Sequence, residues 1–119
     1  MATLTKENKK HFEEFGFVKI EGLIDPEKII DPVIDEYKVV LDNLVQELFD
    51  KEKVKSKYEE LDFGERVTKV YSESGEVHNQ FFDFSLPQSN IKSDTPFWTG
   101  PAVFDAIRNS ELLDIVEGF

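Results

Sequence analysis

The chain has 119 residues, about the size of one ordinary domain, and 39% of them are hydrophobic, including eleven Phe, so its composition excludes a disordered acidic tail. Its 25 acidic and 14 basic residues give a formal net charge of -11 at pH 7, which argues against nucleic acid and anionic membrane surfaces as partners. It has no Cys for a disulfide or thiolate site, no visible secretory leader and no apolar run of the roughly 18 residues that span a bilayer, so we expect a soluble, cytoplasmic protein.

The first predicted element is a short helix with an aromatic face. Thr5 is a suitable N-cap, and Phe12 and Phe15 are three residues apart, so they share one side of the helix. Gly16 stands where a residue in the left-handed conformation ends a helix. Residues 17–20 then alternate in direction and include two β-branched side chains, a pattern that predicts a short strand.

A long helix with the strongest periodicity in the chain is predicted to begin at Pro32. Asp25-Pro26 and Asp31-Pro32 both carry the signal of a helix start, a capping residue followed by proline. Because Pro32 would break a helix that had begun earlier, we expect a separate short turn over residues 26–30. Apolar residues recur along the main helix at spacings of three and four: Val33, Ile34, Tyr37, Val40, Leu41, Leu44, Val45 and Leu48.

Charged residues dominate the segment after this helix. Residues 51–62 interleave Lys with Glu and are predicted to be exposed, as the frayed helix end or as a connection. A further helix is predicted over Glu65–Tyr71, with Val67, Val70 and Tyr71 on its apolar face. The apolar residues that follow fit a helix and a strand equally well: Phe81, Phe82, Phe84 and Leu86.

The final part of the chain reads as an aromatic turn and two helices. Pro96–Gly100 is predicted to be extended, and a helix from Pro101 is predicted to end at Asn109. Its inward residues are expected to be Val103, Phe104 and Ile107. Ser110 is the expected cap of the last helix, whose inward residues would be Leu112, Leu113 and Val116.

The two histidines, together with one carboxylate, are candidate metal ligands. His11, Glu13 and His78 match on paper the two His and one carboxylate of non-haem iron sites. Their spacing argues against it, because residues two apart in a helix point about 200° away from each other around the axis. We therefore expect no metal site and two solvated histidines.

The remaining side chains favour packing over chemistry. The aromatic cluster around Phe81 could line a pocket but is more typical of core, and Trp98 is at least as typical of packing as of a partner anchor. No phosphate loop, Ser-His-Asp grouping or Cys-His pair is present. The sequence thus assigns no catalytic, cofactor-binding or metal-binding residue.

Three stretches of the chain resemble a known family. Residues 11–27, HFEEFGFVKIEGLIDPE, are similar to the opening of phytanoyl-CoA dioxygenase-like proteins. Those proteins begin with a helix, an aromatic-Gly-aromatic step, a short strand, a Gly-Leu turn and a capped helix. Residues 100–104, GPAVF, and 112–117, LLDIVE, are similar to the segment that precedes the barrel in bacterial members. The order of these stretches, and no single motif, carries the resemblance.

The resemblance implies an Fe(II)- and 2-oxoglutarate-dependent oxygenase that hydroxylates a small organic substrate on a double-stranded β-helix, or jelly-roll, fold. Residues 1–119 would be a single unit, the N-terminal helical segment of that α+β domain. The segment would be mainly α-helical with one or two short strands, and truncated at its C-terminus before most of the barrel. The iron-binding His-x-Asp and distant His, and the Arg that holds 2-oxoglutarate, would lie in the missing C-terminal barrel of the same polypeptide.

Two consequences of the resemblance concern this chain alone. The fragment would be inactive, and it would be marginally stable or aggregate, because its inward apolar residues would lack their partner sheet. Residues 67–70 are similar to a segment whose Lys contacts the co-substrate in some members. The spacing from that segment to Gly118 differs from theirs, so we expect Lys69 to be a surface lysine.

A second hypothesis requires no oxygenase. The chain would then be a self-contained, small, acidic helical module that binds a protein partner through its aromatic surface and has no catalytic activity. The two hypotheses differ in the packing they predict near the C-terminus. A complete module should close its core there, whereas a fragment should expose apolar residues.

Overall fold

The computed structural model describes residues 3–82, 92–95, 98 and 100–119. Within these residues the chain is mainly helical, as predicted, and contains no β-strand. The six α-helices are α1 (Lys6–Phe15), α2 (Asp31–Asp50), α3 (Phe63–Ser74), α4 (Asn79–Phe82), α5 (Pro101–Ile107) and α6 (Ser110–Glu117). A π-helical turn, Pro26–Ile30, precedes α2. In this described part no helix is both long and apolar enough to cross a bilayer.

Helix α1 forms as its end signals predict. The Thr5 hydroxyl accepts a hydrogen bond from the Asn8 backbone N–H at 3.1 Å, and the Asn8 side chain accepts one from the Thr5 N–H at 3.0 Å. This reciprocal capping box satisfies two N–H groups that the first turn leaves without a helical partner. Gly16 ends the helix in the left-handed conformation, with φ 76°.

The strand predicted over residues 17–20 is absent. This stretch has no regular secondary structure, and no described segment pairs with its backbone. The prediction was wrong because β-branched residues only favour an extended chain, whereas a strand also requires a neighbour that completes the hydrogen-bond ladder.

The two helix starts belong to two separate elements, a short turn and a long helix, as predicted. Asp25 accepts a hydrogen bond from the Glu27 N–H at 3.1 Å and caps the π-helical turn, whose end is closed by the Asp31 N–H donating to the Pro26 carbonyl. Helix α2 then begins at Asp31, so that Pro32 lies in its first turn, where a missing N–H costs nothing.

The chain divides into two compact units, and the boundary falls inside α2. Unit 1 comprises Met1–Pro32 and Pro101–Phe119, and unit 2 comprises Val33–Gly100. Unit 1 is therefore built from both terminal parts of the sequence. The expectation of a single unit over residues 1–119 stays a prediction.

The core of unit 2 lies between α2, α3 and the connection that joins them. Its buried cluster consists of Leu41, Leu44, Val45, Leu48, Val54 and Val70. Seven of the eight α2 residues predicted to face inward are buried, which confirms that periodicity, and Ile34 is half-buried. Leu41, Val45 and Val70 are fully buried, and each contributes about 1.5–3 kcal/mol relative to an exposed side chain.

The connection over residues 51–62 lies on the surface, as predicted, but it is tied down at several points. Val54 is only 3% exposed and belongs to the core cluster. The Glu73 carboxylate accepts hydrogen bonds from the Lys55 N–H at 2.9 Å and from the Tyr58 hydroxyl. The connection is thus fixed by α3, in addition to its own turns.

Unit 1 packs α5 against the π-helical turn and buries few side chains. Val103 of α5 and Ile115 of α6 are its buried apolar residues. Four residues predicted to face inward are instead largely exposed: Phe104, Ile107, Leu113 and Val116. These predictions were wrong because helices of seven and eight residues show the apolar spacing on more than one side, and only a neighbouring element selects the side that is buried.

The cap of α6 also differs from its prediction. Asn109, and not Ser110, is the N-cap, because its side-chain oxygen accepts a hydrogen bond from the Leu112 N–H at 3.1 Å. Ser110 is the first helical residue. Both are good capping residues, and the prediction from the sequence assigned the cap to the residue that follows the observed one.

Candidate functional site

The largest group of exposed aromatic side chains in unit 1 forms what we call the aromatic face: Phe12, Phe15, Phe17 and Phe119, with His11. The rings of Phe12 and Phe119 are 4.5 Å apart between centroids. His11 lies 4.7 Å from Phe15 and 5.0 Å from Phe17, the latter edge to face. The rings thus form two contacting sets, Phe12 with Phe119 and His11 with Phe15 and Phe17, and the four Phe side chains remain 39–61% exposed.

The aromatic face follows directly from the local sequence. Phe12 and Phe15 are one helical turn apart in α1, and the left-handed Gly16 reverses the chain so that Phe17 returns beside His11. No residue of α1 is buried. This helix therefore presents apolar rings to solvent.

Exposed apolar side chains continue over other parts of unit 1. Ile24 and Ile30 are each 41% exposed, and the four exposed apolar side chains of α5 and α6 described above are exposed to larger fractions. A unit with so few buried residues has little hydrophobic stabilisation of its own.

The three residues considered for iron do not form a metal site. His11 and Glu13 are exposed in unit 1, whereas His78 belongs to unit 2. Among the described residues no group of three His, Asp or Glu side chains is arranged to hold a metal ion. We therefore assign no metal chemistry to these three side chains.

His78 differs from its prediction, because it is buried and not solvated. It is 6% exposed, its ring nitrogen Nε2 lies 3.2 Å from the Ser74 hydroxyl, and its ring packs edge-on against Tyr71 at 5.3 Å. Burial lowers the pKa of His78 below its ordinary value, and the carboxylates of Glu76 and Glu47 oppose this effect. The neutral imidazole is the form that this corner of unit 2 favours.

The aromatic cluster around Phe81 is core, as predicted, where it is described. Phe81 and Phe82 of α4 pack against the buried cluster of unit 2, and Phe82 lies edge-on to Tyr37 at 5.3 Å. Phe84 lies outside the described residues. Trp98 is 38% exposed, and its backbone N–H donates to the Gln80 carbonyl at 3.0 Å.

Lys69 is an exposed lysine on α3, as expected. Its ammonium group lies 5.5 Å from the centre of the Tyr58 ring, within the range of a cation–π contact. It lines an open groove of about 600 Å³ together with Leu61, Gly64, Glu65, Thr68 and Ser72. The groove is open to solvent, and most of the surface that lines it is apolar.

Sequence reasoning missed one buried ionic group, Arg66. Its side chain is 8% exposed, its Nε–H donates to the Lys57 carbonyl at 2.9 Å, and its guanidinium pairs with Asp42 of α2. Its position in the sequence could have predicted its burial, because Arg66 lies four residues before Val70 and so shares the apolar side of α3. The pair is structural, because it joins α2, α3 and their connection.

Comparison of the chain with protein-family models, curated proteins and solved structures finds no match. The described residues therefore offer two features on which a function can be argued. One is the uncovered aromatic face of unit 1, and the other is the order of elements that produces it.

Proposed function

We propose that this chain is the helical N-terminal part of a phytanoyl-CoA dioxygenase-like, Fe(II)- and 2-oxoglutarate-dependent oxygenase. Its role there is to pack against the jelly-roll barrel and to support the mouth of the active site. It does not hold the iron. The residues that bind the metal and 2-oxoglutarate belong to the barrel of the same polypeptide.

The order of elements in unit 1 is the observation that carries the proposal. Helix α1 ends at a left-handed Gly16, the aromatic Phe17 follows, Gly22 adopts a positive φ of 69°, and Asp25 caps a helical turn that begins with proline. The same succession opens the family that residues 11–27 resemble. The capped helix, the left-handed Gly16 and the capped turn support the proposal, whereas the short strand of that opening is absent at residues 17–20.

The uncovered apolar side of unit 1 is the second support. Phe15 and Phe17 are 57% and 61% exposed, although rings of this size normally dominate the buried surface of a domain. A sheet packed against them would bury that surface and would also offer residues 17–20 the neighbour that a strand requires. One missing layer therefore accounts for both features.

The chemistry proposed for the whole protein is hydroxylation of a small organic substrate, coupled to the oxidation of 2-oxoglutarate to succinate and carbon dioxide by dioxygen. No residue of this chain is assigned to bind substrate, iron or co-substrate. The helical part would act only through packing. Substitutions in it should therefore affect the stability of the whole protein more than the rate of hydroxylation.

The alternative is a self-contained acidic module that binds a protein partner. The exposure of the aromatic face favours it as well, because aromatic residues are enriched where proteins bind one another. The two proposals differ in what covers that face: a sheet of the same polypeptide, or a separate protein.

The reading frame downstream of the Phe119 codon tests the proposal. We expect it to remain open and to encode His-x-Asp, a distant His and an Arg. Purified with that extension, the protein should form succinate from 2-oxoglutarate only when Fe(II) and a substrate are present. A stop codon immediately after Phe119, or an extension without the iron-binding residues, would leave the binding module as the better proposal.

A further inference from the structure

Unit 2 contains a corner at which a buried histidine joins two helices. His78 stands one residue before α4, four residues after Ser74 near the end of α3, and three residues after the left-handed Gly75. Its Nε2 lies 3.2 Å from the Ser74 hydroxyl, and its carbonyl accepts a hydrogen bond from the Phe81 N–H at 3.1 Å. The same residue thus anchors the end of α3 and the start of α4.

A chain of ring contacts connects this corner to the core. The His78 ring packs edge-on against Tyr71 at 5.3 Å, and Tyr71 lies 6.4 Å from Phe82 of α4. Phe82 in turn lies edge-on to Tyr37 and Phe63, at 5.3 and 6.1 Å. Because α4 has only four residues, its position depends on these contacts and on its connection to His78, and not on its own helical hydrogen bonds.

The charged groups around the imidazole are largely engaged already. Glu47 of α2 pairs with Lys51, and Glu76 of the α3–α4 turn lies 3.5 Å from the Lys53 ammonium group. The Tyr71 hydroxyl, whose ring packs against the imidazole, has its pKa raised by burial. A proton added to the ring would therefore place a positive charge at a 6% exposed site, where no described carboxylate is hydrogen-bonded to the ring.

We propose that His78 is an acid-sensitive latch: protonation of its imidazole opens the corner between α3 and α4 and releases Phe81 and Phe82 from the core while α2 and α3 stay folded. The release exposes an aromatic pair that is half-buried in the closed form. This inference concerns unit 2 alone and does not depend on the oxygenase proposal.

The direction of the pH dependence follows from linkage. Burial lowers the pKa of His78 in the closed form, so the open form binds more protons. The closed form is therefore fully stabilised above the ordinary histidine pKa of about 6.5, and this stabilisation is lost as the pH falls from there toward the lowered value. With one proton taken up, the open population rises by up to about tenfold for each pH unit in that window.

Hydrogen exchange of single amides tests the latch. The reporter is the Phe81 amide, which is bonded to the His78 carbonyl, and the reference is the Leu44 amide inside α2. After correction for intrinsic exchange, we expect the protection of Phe81 to fall by up to about tenfold per pH unit below about 6.5 while that of Leu44 is unchanged. Equal loss at both amides, or no loss at Phe81, would overturn the proposal.

Three variants separate the latch from other acid effects. His78→Gln keeps a polar group beside Ser74 but cannot be protonated, so its Phe81 protection should not vary with pH. His11→Gln, at the exposed histidine, should behave as the unmodified chain does. Glu76→Gln leaves His78 in place and removes a carboxylate that favours the charged ring, so the loss of protection should continue to lower pH. A loss of protection that persists in His78→Gln would assign the effect to carboxylates and refute the latch.

Discussion

Gly64 and Gly75 lie at opposite ends of α3 and differ in backbone conformation. Gly75 is the C-cap with φ 70°, a conformation that L side chains adopt only with strain, whereas Gly64 lies in the first helical turn. A methyl group at Gly64 would meet only a carboxylate oxygen of Asp62 at 3.7 Å, an ordinary contact. The two positions therefore form a matched pair for one substitution.

Gly75→Ala is expected to lower the free energy of unfolding by about 1 kcal/mol, because the left-handed conformation costs a residue with Cβ about that amount. Gly64→Ala should instead raise it by roughly 0.5–1 kcal/mol, since alanine loses less entropy in a helix. Urea unfolding followed by circular dichroism measures both. Changes of the same sign in the two variants would contradict the assigned backbone conformations.

Arg66→Met is expected to lower the free energy of unfolding by about 1–3 kcal/mol, because the Lys57 carbonyl would lose its donor at a partly buried position. Asp42 is mostly exposed, so the loss of its ion pair adds little to the destabilisation. The control is Arg108→Met, whose pair with Asp105 is exposed on both sides and should change stability by less than about 0.5 kcal/mol. Equal effects in the two denaturant titrations would show that burial of Arg66 is unimportant.

At the scale of elements, α6 offers a test of where a helix begins. Asn109→Ala should destabilise α6 by about 1 kcal/mol, because it removes the oxygen that accepts the Leu112 N–H. Ser110→Ala should change stability by only a few tenths of a kcal/mol, because Ser110 is already helical and exposed. The comparison is made by thermal unfolding under identical conditions. A larger loss in Ser110→Ala would restore the cap position that the sequence pattern alone predicts.

The long and the short helices differ in how far their patterns could be interpreted. Over the 20 residues of α2 the apolar residues recur often enough to define one side, and the buried set matches the predicted one closely. In α5 the same reasoning selected three inward residues, of which Val103 alone is buried. Two turns of helix contain too few positions to distinguish the buried side from its neighbours.

For the whole molecule, the uncovered aromatic face and the net charge act in opposite directions. Exposed rings promote self-association, whereas a formal charge of -11 makes copies repel one another until salt screens them. We expect light scattering by the isolated chain to rise with ionic strength. The double variant Phe12→Ser/Phe15→Ser should reduce that rise several-fold, since it removes two of the exposed rings.

The matched control for this experiment is Phe49→Ser. Phe49 is 40% exposed, close to the exposure of Phe12, but it lies in unit 2 and not on the aromatic face. Its substitution should leave the salt-dependent scattering unchanged. If Phe49→Ser suppressed scattering as strongly as the double variant, general surface hydrophobicity and not the aromatic face would govern association.

Features of this protein that depend on a few neighbouring residues could be predicted from its sequence. The cap at Thr5, the helix end at Gly16 and the division between the Pro26 turn and α2 were all predicted, because each depends on hydrogen bonds or backbone angles within about four residues. The periodicity of α2 likewise identified its buried side. These signals are local, and so they can be recognised before any tertiary contact is known.

Which polar side chains are buried, and which apolar side chains are exposed, depends on contacts that form only when the chain folds. Arg66 is buried because Asp42, 24 positions earlier, and the Lys57 carbonyl are brought to it by folding. His78 is buried because the turn after α3 returns its ring against Tyr71 and Ser74, seven and four positions earlier. Residues 17–20 have strand propensity but no described neighbour, since a ladder of hydrogen bonds belongs to two segments and cannot be specified by one.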